Sequence, residues 1–270
     1  MLKVLTFALC AAAPALAFCA ATSALATTQD EVLQADLLPG WQMQNGHHMA
    51  GLRLQLAPDW KTYWRSPGEA GIPPLFNWSG SVNVKSVLVH WPSPVVFHTN
   101  GMQTIGYHEG VVLPLEVVPL DASKPVELRA GVDLGVCNQI CMPAAVQLAA
   151  VLDAGGPDAA INSALQAQPV GGKAAGLRAI SCEVSPIADG LQLTAVLDLP
   201  QRGAETVVFE TADAGVWVGE AKSVRAGGRL TASVDLVASS GAPFALDRSG
   251  VVVTVLGAGG SVEIAGCPAP

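Results

Sequence analysis

Strict alternation of apolar and polar residues is the feature of this sequence that most constrains its fold. It is clearest in "VELRAGVDLGVC", residues 126–137, and it resumes after residue 141. A period of two residues is typical of a strand with one buried face and one face in water. The apolar positions that keep this period are Val126, Leu128, Ala130, Val132, Leu134, Val146 and Leu148. Short runs of this kind, separated by glycine and proline, predict an antiparallel β-sandwich.

Residues 157–168, "PDAAINSALQAQ", form the one convincing helical segment in the sequence, with glycine pairs on both sides. The runs beyond it, "LQLTAVLDL", "ETVVFET", "RLTASVDLV" and "GVVVTVL", return to the strand pattern. The sequence therefore predicts an all-β protein of two sandwich domains joined by a short helical linker. We expect the first domain at residues 27–155, the linker at 156–176 and the second domain at 177–270.

The N-terminus has the pattern of a secretory signal peptide. A basic start, "MLK", precedes an apolar run and the small residues Ala24-Leu25-Ala26. This order predicts a signal peptide at residues 1–26 that is cleaved after Ala26. A transmembrane anchor is the alternative, but the unbroken apolar run falls short of the roughly 20 residues that span a bilayer. Cys10 and Cys19 would leave with the signal, and the mature protein would reach the periplasm or the cell exterior, where disulfides persist.

The charge of the chain argues against two classes of partner. It has 22 acidic and 14 basic residues, which give a formal net charge of −8. Such a chain is a poor match for nucleic acid or for an anionic membrane surface, so neither is expected as a partner.

The four remaining cysteines fall into a short pair and a long pair. The alternation continues on both sides of residues 138–140, which predicts a hairpin that places Cys137 opposite Cys141. Facing Cα atoms are about 4.5–5.5 Å apart, a distance that a disulfide can bridge. In the chain-entropy estimate, a disulfide that closes this five-residue loop stabilises the folded protein by only about 2 kcal/mol. The loop from Cys182 to Cys267 gives about 4.6 kcal/mol. We therefore expect Cys182–Cys267 to be structural. Three interpretations of the short pair stay open, namely a redox centre, a plain hairpin staple and part of a metal site whose other ligands lie elsewhere.

Three stretches of the first predicted domain together resemble a known family. They are "LAPDWKTYWRSPGEAGIPPLFNWSGSVNVKSVLVHWPSP", "GYHEGVVLPLEV" and "GVCNQICMP". Over roughly residues 40–155 the chain is similar to the N-terminal periplasmic domain of the DsbD and ScsB disulfide reductases. The three residues between Cys137 and Cys141 match the ScsB branch, which is linked to copper tolerance, whereas the enterobacterial DsbD proteins have more.

This resemblance implies an immunoglobulin-like fold and the activity of a protein-disulfide reductase. Neither a cofactor nor a metal is expected. Cys137 and Cys141 would shuttle between dithiol and disulfide, with Cys137 as the attacking thiol by analogy and Cys141 as the resolving one. Electrons would come from a membrane electron-transporting reductase acting in trans and would pass to thioredoxin-like periplasmic proteins. The family's cap loop, which shields the cysteines, would here depart from the acidic and aromatic enterobacterial segment. By position it comprises Phe97, His98, Thr99, Asn100, Gly101 and Met102.

A non-catalytic periplasmic binding module is the alternative function, with copper as one candidate ligand and both disulfides purely structural. Its candidate copper ligands are His47, His48 and Met49, although a surface turn after Asn45-Gly46 explains adjacent histidines equally well. The reduction potential of the short pair separates the two functions. A redox pair is expected at about −200 to −270 mV, and a structural staple below about −300 mV.

The aromatic residues of the first domain have two possible roles. A docking platform is one, but aromatic side chains more often fill the core and the corners of a sandwich. Core packing is therefore predicted for Trp60, Tyr63, Trp64, Trp78 and Trp91.

Overall fold

The structure, a computed structural model, describes residues 28–99, 101–152 and 155–270. The predicted signal peptide at residues 1–26, with Cys10 and Cys19, lies outside the described residues. Strands dominate the described part of the chain. Its helices are the α-helices Gln29–Val32 (α1) and Ala159–Gln166 (α2) and a single 3-10 turn, Arg248–Gly250. None of these helices is long and apolar enough to cross a bilayer. The predicted all-β class is confirmed.

The first ten strands form two antiparallel sheets that enclose one hydrophobic core. One sheet has the order β1-β2-β8-β5, and the other has the order β10-β9-β3-β7-β6, with β4 also paired to β9. The strands are β1 Leu33–Gln42, β2 His48–Leu56, β3 Lys61–Tyr63, β4 Leu75–Asn77, β5 Val84–Val89, β6 Val95–Thr99, β7 Met102–His108, β8 Gly110–Pro119, β9 Val126–Cys137 and β10 Cys141–Leu152. The predicted alternation sets the burial in β9, where Val126, Leu128 and Leu134 are at most 2% exposed.

The remaining strands form a second sandwich with a core of its own. Its sheets have the orders β11-β19-β18-β14 and β12-β13-β17-β15, and β16 also pairs with β17. The strands are β11 Val170–Gly171, β12 Ala179–Ile187, β13 Gly190–Asp198, β14 Glu205–Glu210, β15 Val216–Val218, β16 Lys222–Ala226, β17 Arg229–Ala238, β18 Val252–Gly257 and β19 Val262–Ala265. Leu193, Leu236 and Val253 are fully buried at its centre. Both predicted immunoglobulin-like sandwiches are thus present, while the exact domain boundaries stay a prediction.

Helix α2, the predicted linker helix, packs on the first sandwich. The Asp158 carboxylate caps it by accepting hydrogen bonds from the backbone N–H groups of Ala160 (2.8 Å) and Ile161 (3.0 Å). The Ile161 side chain is fully buried. It lies against Gly51 of β2, where an added Cβ would come within 2.9 Å of Ile161 Cγ1. A glycine at position 51 therefore lets the helix dock on the sheet.

Strand β10 ends the order of its sheet, and the N-terminal helix covers part of that edge. The Gln29 side chain donates from Nε2 to the backbone oxygen of Ala145 (3.0 Å). In return, the Ala145 backbone N–H donates to Gln29 Oε1 (3.1 Å). The side-chain amide thus makes the pair of hydrogen bonds that a residue of a neighbouring strand would make.

Candidate functional site

The short cysteine pair lies at the tip of a long hairpin. Strands β9 and β10 pair in register from Leu152–Val126 up to Cys141–Cys137, as the alternation predicts. The two cysteines are bonded to each other, with their Cα atoms 4.1 Å apart. Their surroundings differ, because Cys137 is 1% exposed whereas Cys141 is exposed. A second protein can therefore approach this disulfide from the side of Cys141.

Tyr63 is the described side chain that hydrogen-bonds to the disulfide. Its hydroxyl donates to Cys137 Sγ at 2.9 Å and lies 3.4 Å from Cys141 Sγ. The contact arises because β3 is the neighbour of β9, with Lys61 opposite Cys137. Burial raises the pKa of Tyr63, so the hydroxyl keeps its proton at neutral pH and acts as a donor. The sequence prediction assigned Tyr63 to core packing and missed this role.

The segment after β3 covers the tyrosine ring, which is 2% exposed. Two glycines allow this close cover. A Cβ on Gly71 would come within 2.9 Å of Tyr63 Cδ1, and a Cβ on Gly135 would come within 2.7 Å of Ile72 Cβ and 3.2 Å of Tyr63 Cε2. The ring is therefore enclosed between β9 and the segment 66–74, which we call the covering loop. Cys137 shares this enclosed environment through its hydrogen bond with Tyr63.

The predicted cap segment lies in the hairpin that joins β6 and β7. Phe97 pairs with Thr104 and His98 with Gln103. Gly101, with φ +80°, lies in the turn, while Asn100 and the side chain of Thr99 lie outside the described residues. Met102, which begins β7, is 50% exposed.

Phe97 connects this hairpin to the neighbourhood of the disulfide. Its ring lies 4.8 Å from Lys61 Nζ, and Lys61 is the residue opposite Cys137. Lys61 Nζ also donates to Thr104 Oγ1 at 3.2 Å. Burial lowers the pKa of Lys61. The hairpin is thus linked to the cysteine pair through Lys61, and a shielding role for it stays a prediction.

The long cysteine pair closes the second sandwich. Cys182 of β12 is bonded to Cys267 near the C-terminus, with a Cα–Cα distance of 5.5 Å. Both residues belong to the core and are at most 1% exposed. The Cys182 backbone N–H also donates to the backbone oxygen of Pro268 at 2.7 Å. This disulfide is enclosed, in contrast to the one at the hairpin tip.

The candidate copper ligands do not come together as a metal site. His47 Nδ1 lies 2.6 Å from Glu116 Oε1, and His90 Nε2 lies 3.1 Å from Glu116 Oε2. His48 and Met49 are buried in β2 at 5% and 4% exposure. The hydrogen bond from His47, assisted by that from His90, lowers the pKa of Glu116. Across residues 28–99, 101–152 and 155–270, no cluster of three or more His, Cys, Asp or Glu residues could hold a metal ion.

The other aromatic residues behave as predicted. Trp60 and Trp64 lie in the first core, and Trp78 and Trp91 pack against it. Core packing is confirmed for these four residues.

An immunoglobulin-like sandwich with an approachable disulfide at a hairpin tip, next to a buried hydroxyl donor, has the geometry that thiol–disulfide exchange requires. The family follows from the comparison with known proteins. Residues 30–153 match the family model described as the N-terminal domain of the thiol:disulfide interchange protein DsbD. Residues 30–153 therefore form a DsbD N-terminal, ScsB-like domain.

A solved structure extends the similarity into the second sandwich. The chain is similar to the N-terminal periplasmic domain of ScsB from Proteus mirabilis, with 28% sequence identity and a TM-score of 0.68. The match covers 90% of this chain and 96% of that one. No curated protein matches the chain.

Proposed function

We propose that this protein is a periplasmic thiol–disulfide exchange protein. It relays reducing equivalents from a membrane electron donor to thioredoxin-like clients through Cys137 and Cys141. The observation that carries the proposal is the asymmetry of the pair, with Cys141 exposed and Cys137 buried against the Tyr63 hydroxyl. Exchange requires one sulfur that a partner thiolate can reach and one that leaves with the electron pair. A periplasmic location is supported by the family and by two disulfides, which persist in an oxidising compartment.

The first half of the cycle reduces the pair. A thiolate of the donor attacks Cys141 Sγ, a new S–S bond forms between the proteins, and the Cys137–Cys141 bond breaks with its electron pair on Cys137 Sγ. The second donor thiolate then attacks the donor's own sulfur in the mixed disulfide and releases Cys141. The donor loses two electrons and becomes a disulfide, while Cys137 and Cys141 gain two electrons and take up two protons.

The second half transfers the same two electrons to the client. The Cys141 thiolate attacks the client disulfide, and the leaving client thiolate takes the electron pair. Cys137 then attacks Cys141 Sγ, restores the internal disulfide and releases the client as a dithiol. Cys141 is thus the attacking thiol and Cys137 the resolving one, the reverse of the assignment by analogy, because burial keeps Cys137 away from a macromolecular partner.

Tyr63 has a defined part in this cycle. A disulfide sulfur is a weak acceptor, whereas a hydrogen bond to an ionised group is roughly twice as strong as a neutral one. The hydrogen bond from Tyr63 therefore strengthens as charge develops on Cys137 Sγ when the disulfide opens. A hydroxyl that is already 2.9 Å from this sulfur needs no reorganisation to do so.

An equilibrium redox titration of the mature protein tests the proposal. Cys137–Cys141 should be reduced at about −200 to −270 mV, and Cys182–Cys267 should stay oxidised to below about −300 mV. Mass spectrometry after alkylation distinguishes the two pairs, so that the enclosed disulfide is an internal control in every sample. If both pairs resist reduction to −300 mV, the hairpin disulfide is only a staple and the proposal fails.

A further inference from the structure

The second sandwich holds the segment that covers the candidate redox site. Arg65, two residues after Tyr63, donates from Nε to Glu210 Oε1 and from Nη2 to Glu210 Oε2, each at 2.9 Å. Its Nη2 also donates to Glu263 Oε2 at 2.5 Å. Glu210 ends β14 and Glu263 lies in β19, so both carboxylates belong to the second sandwich. One guanidinium of the first sandwich is therefore held by two strands of the second.

This cluster has the features of a fixed contact. The Arg65 side chain is 24% exposed and that of Glu210 is 20% exposed. Burial alone would lower the pKa of Arg65, but the hydrogen bonds and charges of Glu210 and Glu263 outweigh it and raise that pKa. The guanidinium also lies 4.4 Å from the ring of Trp64, which is fully buried. Two-point hydrogen bonding between planar groups fixes the orientation of Arg65 as well as its position.

Backbone contacts carry this restraint to the covering loop. The Trp64 N–H donates to the Ile105 carbonyl, and the Ile105 N–H donates to the Pro67 carbonyl, both at 3.0 Å. The loop then continues to Gly71 and Ile72, which enclose the ring of Tyr63. Arg65 thus lies at the point where the chain leaves Tyr63 and enters its cover.

Apolar contacts join the two sandwiches at the same place. Val208 and Leu256 of the second sandwich are buried within the core of the first. Beside them a cleft opens between the sandwiches. The start of the covering loop, at Ser66, Pro67 and Gly68, lines one wall of the cleft, and Phe209 and Trp217 line the other. The second sandwich therefore supports the loop through both charge and packing.

We propose that Arg65, held by Glu210 and Glu263, is a positioning residue for disulfide exchange. It fixes the covering loop and thereby the placement of the Tyr63 hydroxyl against Cys137. The inference rests on the proposed function and gives the second sandwich a task in it, as the frame that keeps the hydrogen-bond donor aligned. Without this frame the hydroxyl samples positions away from the sulfur, and the leaving thiolate is less well stabilised.

A kinetic experiment with dithiothreitol, which needs no docking surface, tests the inference. The variant Glu210→Gln/Glu263→Gln removes both charges from the second sandwich and leaves every residue of the first unchanged. We expect reduction of Cys137–Cys141 to slow by about two- to fourfold, less than full loss of the hydroxyl would cause, since the Tyr63 hydrogen bond is weakened and not removed. The decisive measurement is the reduction rate when the same double substitution is made in a Tyr63→Phe background. It should cause no further slowing there, because the effects of substitutions that act through one contact do not add.

The matched control is a two-point ion pair that lies wholly within the second sandwich. Glu205 accepts from Nε and Nη2 of Arg225, both at 2.8 Å, and their side chains are 5% and 15% exposed. Glu205→Gln should lower the melting temperature and leave the reduction rate unchanged. An Arg65→Lys variant, which keeps the charge but loses the two-point geometry, should fall between wild type and the double variant.

The outcomes separate this inference from the proposed function. A wild-type hairpin pair that resists reduction overturns the function itself. If the wild-type pair is reduced normally and the Glu210/Glu263 variant matches it, only the role of Arg65 is wrong. Equal slowing in Glu205→Gln, or slowing that adds to that of Tyr63→Phe, also overturns the inference, because it indicates a general loss of rigidity.

Discussion

Removal of the Tyr63 hydroxyl is the most direct test of how the site works. Tyr63→Phe keeps the ring under the covering loop and deletes the donor that lies 2.9 Å from Cys137 Sγ. A hydrogen bond to a charged group contributes about 1.5–3 kcal/mol, and the leaving sulfur carries only part of a full charge in the transition state. A loss of about 1–1.5 kcal/mol corresponds to roughly five- to tenfold slower reduction. The unfolding free energy of the oxidised protein should change by less than about 1 kcal/mol, because a disulfide sulfur is a weak acceptor.

The assay is reduction by dithiothreitol under pseudo-first-order conditions, with samples quenched by alkylation and counted by mass spectrometry. Tyr107→Phe is the matched control, since the Tyr107 hydroxyl is buried in the same sandwich but donates to the carbonyl of Pro92 at 2.8 Å. That variant should lose about 1–3 kcal/mol of stability through the unpaired carbonyl and keep the wild-type rate. Equal rates for Tyr63→Phe and wild type, or equal slowing in both variants, would refute the role assigned to Tyr63.

Three further predictions concern the cysteines and Glu116. Cys137→Ser should trap thioredoxin-fold clients as mixed disulfides through Cys141 on non-reducing gels, whereas Cys141→Ser should trap little; the opposite ratio would exchange the two roles. Replacement of Cys182 and Cys267 by alanine should lower the unfolding free energy of the second sandwich in urea by about 4–5 kcal/mol, against about 2 kcal/mol for the same change in the hairpin pair. Equal losses would contradict the loop-length argument. For Glu116, whose folded-state pKa is lowered below the usual 4.5, the stabilisation is full above pH 4.5 and is lost as the pH falls through the folded-state pKa. The melting temperatures of wild type and Glu116→Gln should therefore converge in acid, and a difference that persists at the lowest pH would count against this linkage.

Local patterns were sufficient to predict the strands and the hairpin. The period of two in residues 126–137 predicts the buried face of β9, and its continuation beyond Cys141 predicts the facing cysteines. The capped helix after Asp158 was predictable for the same reason, since all of its signals lie within a dozen residues. Each of these features depends on interactions between near neighbours in the sequence.

The chemistry of the site depends on contacts that no local pattern encodes. The alternation places Cys137 out of phase with the buried residues of β9, which predicts an exposed side chain. It is nevertheless 1% exposed, and Tyr63, which donates a hydrogen bond to it, lies 74 residues away in the sequence. The partners of Arg65 are farther still, 145 and 198 residues along the chain. Only the tertiary pairing of strands and sandwiches brings these groups together.

The hydrogen bonds between Gln29 and Ala145 protect the exposed edge of β10 against pairing with a second copy of the protein. An uncovered edge strand is a template on which a second copy can add a strand, and repeated addition leads to aggregation. Gln29 occupies hydrogen-bonding positions that such a strand would use on β10. This protection comes from the first residue of α1, four positions before β1 begins at Leu33. A tag fused close to Gln29 would compete for this edge, so a purified sample with a short N-terminal extension is expected to self-associate more readily than one extended at the C-terminus.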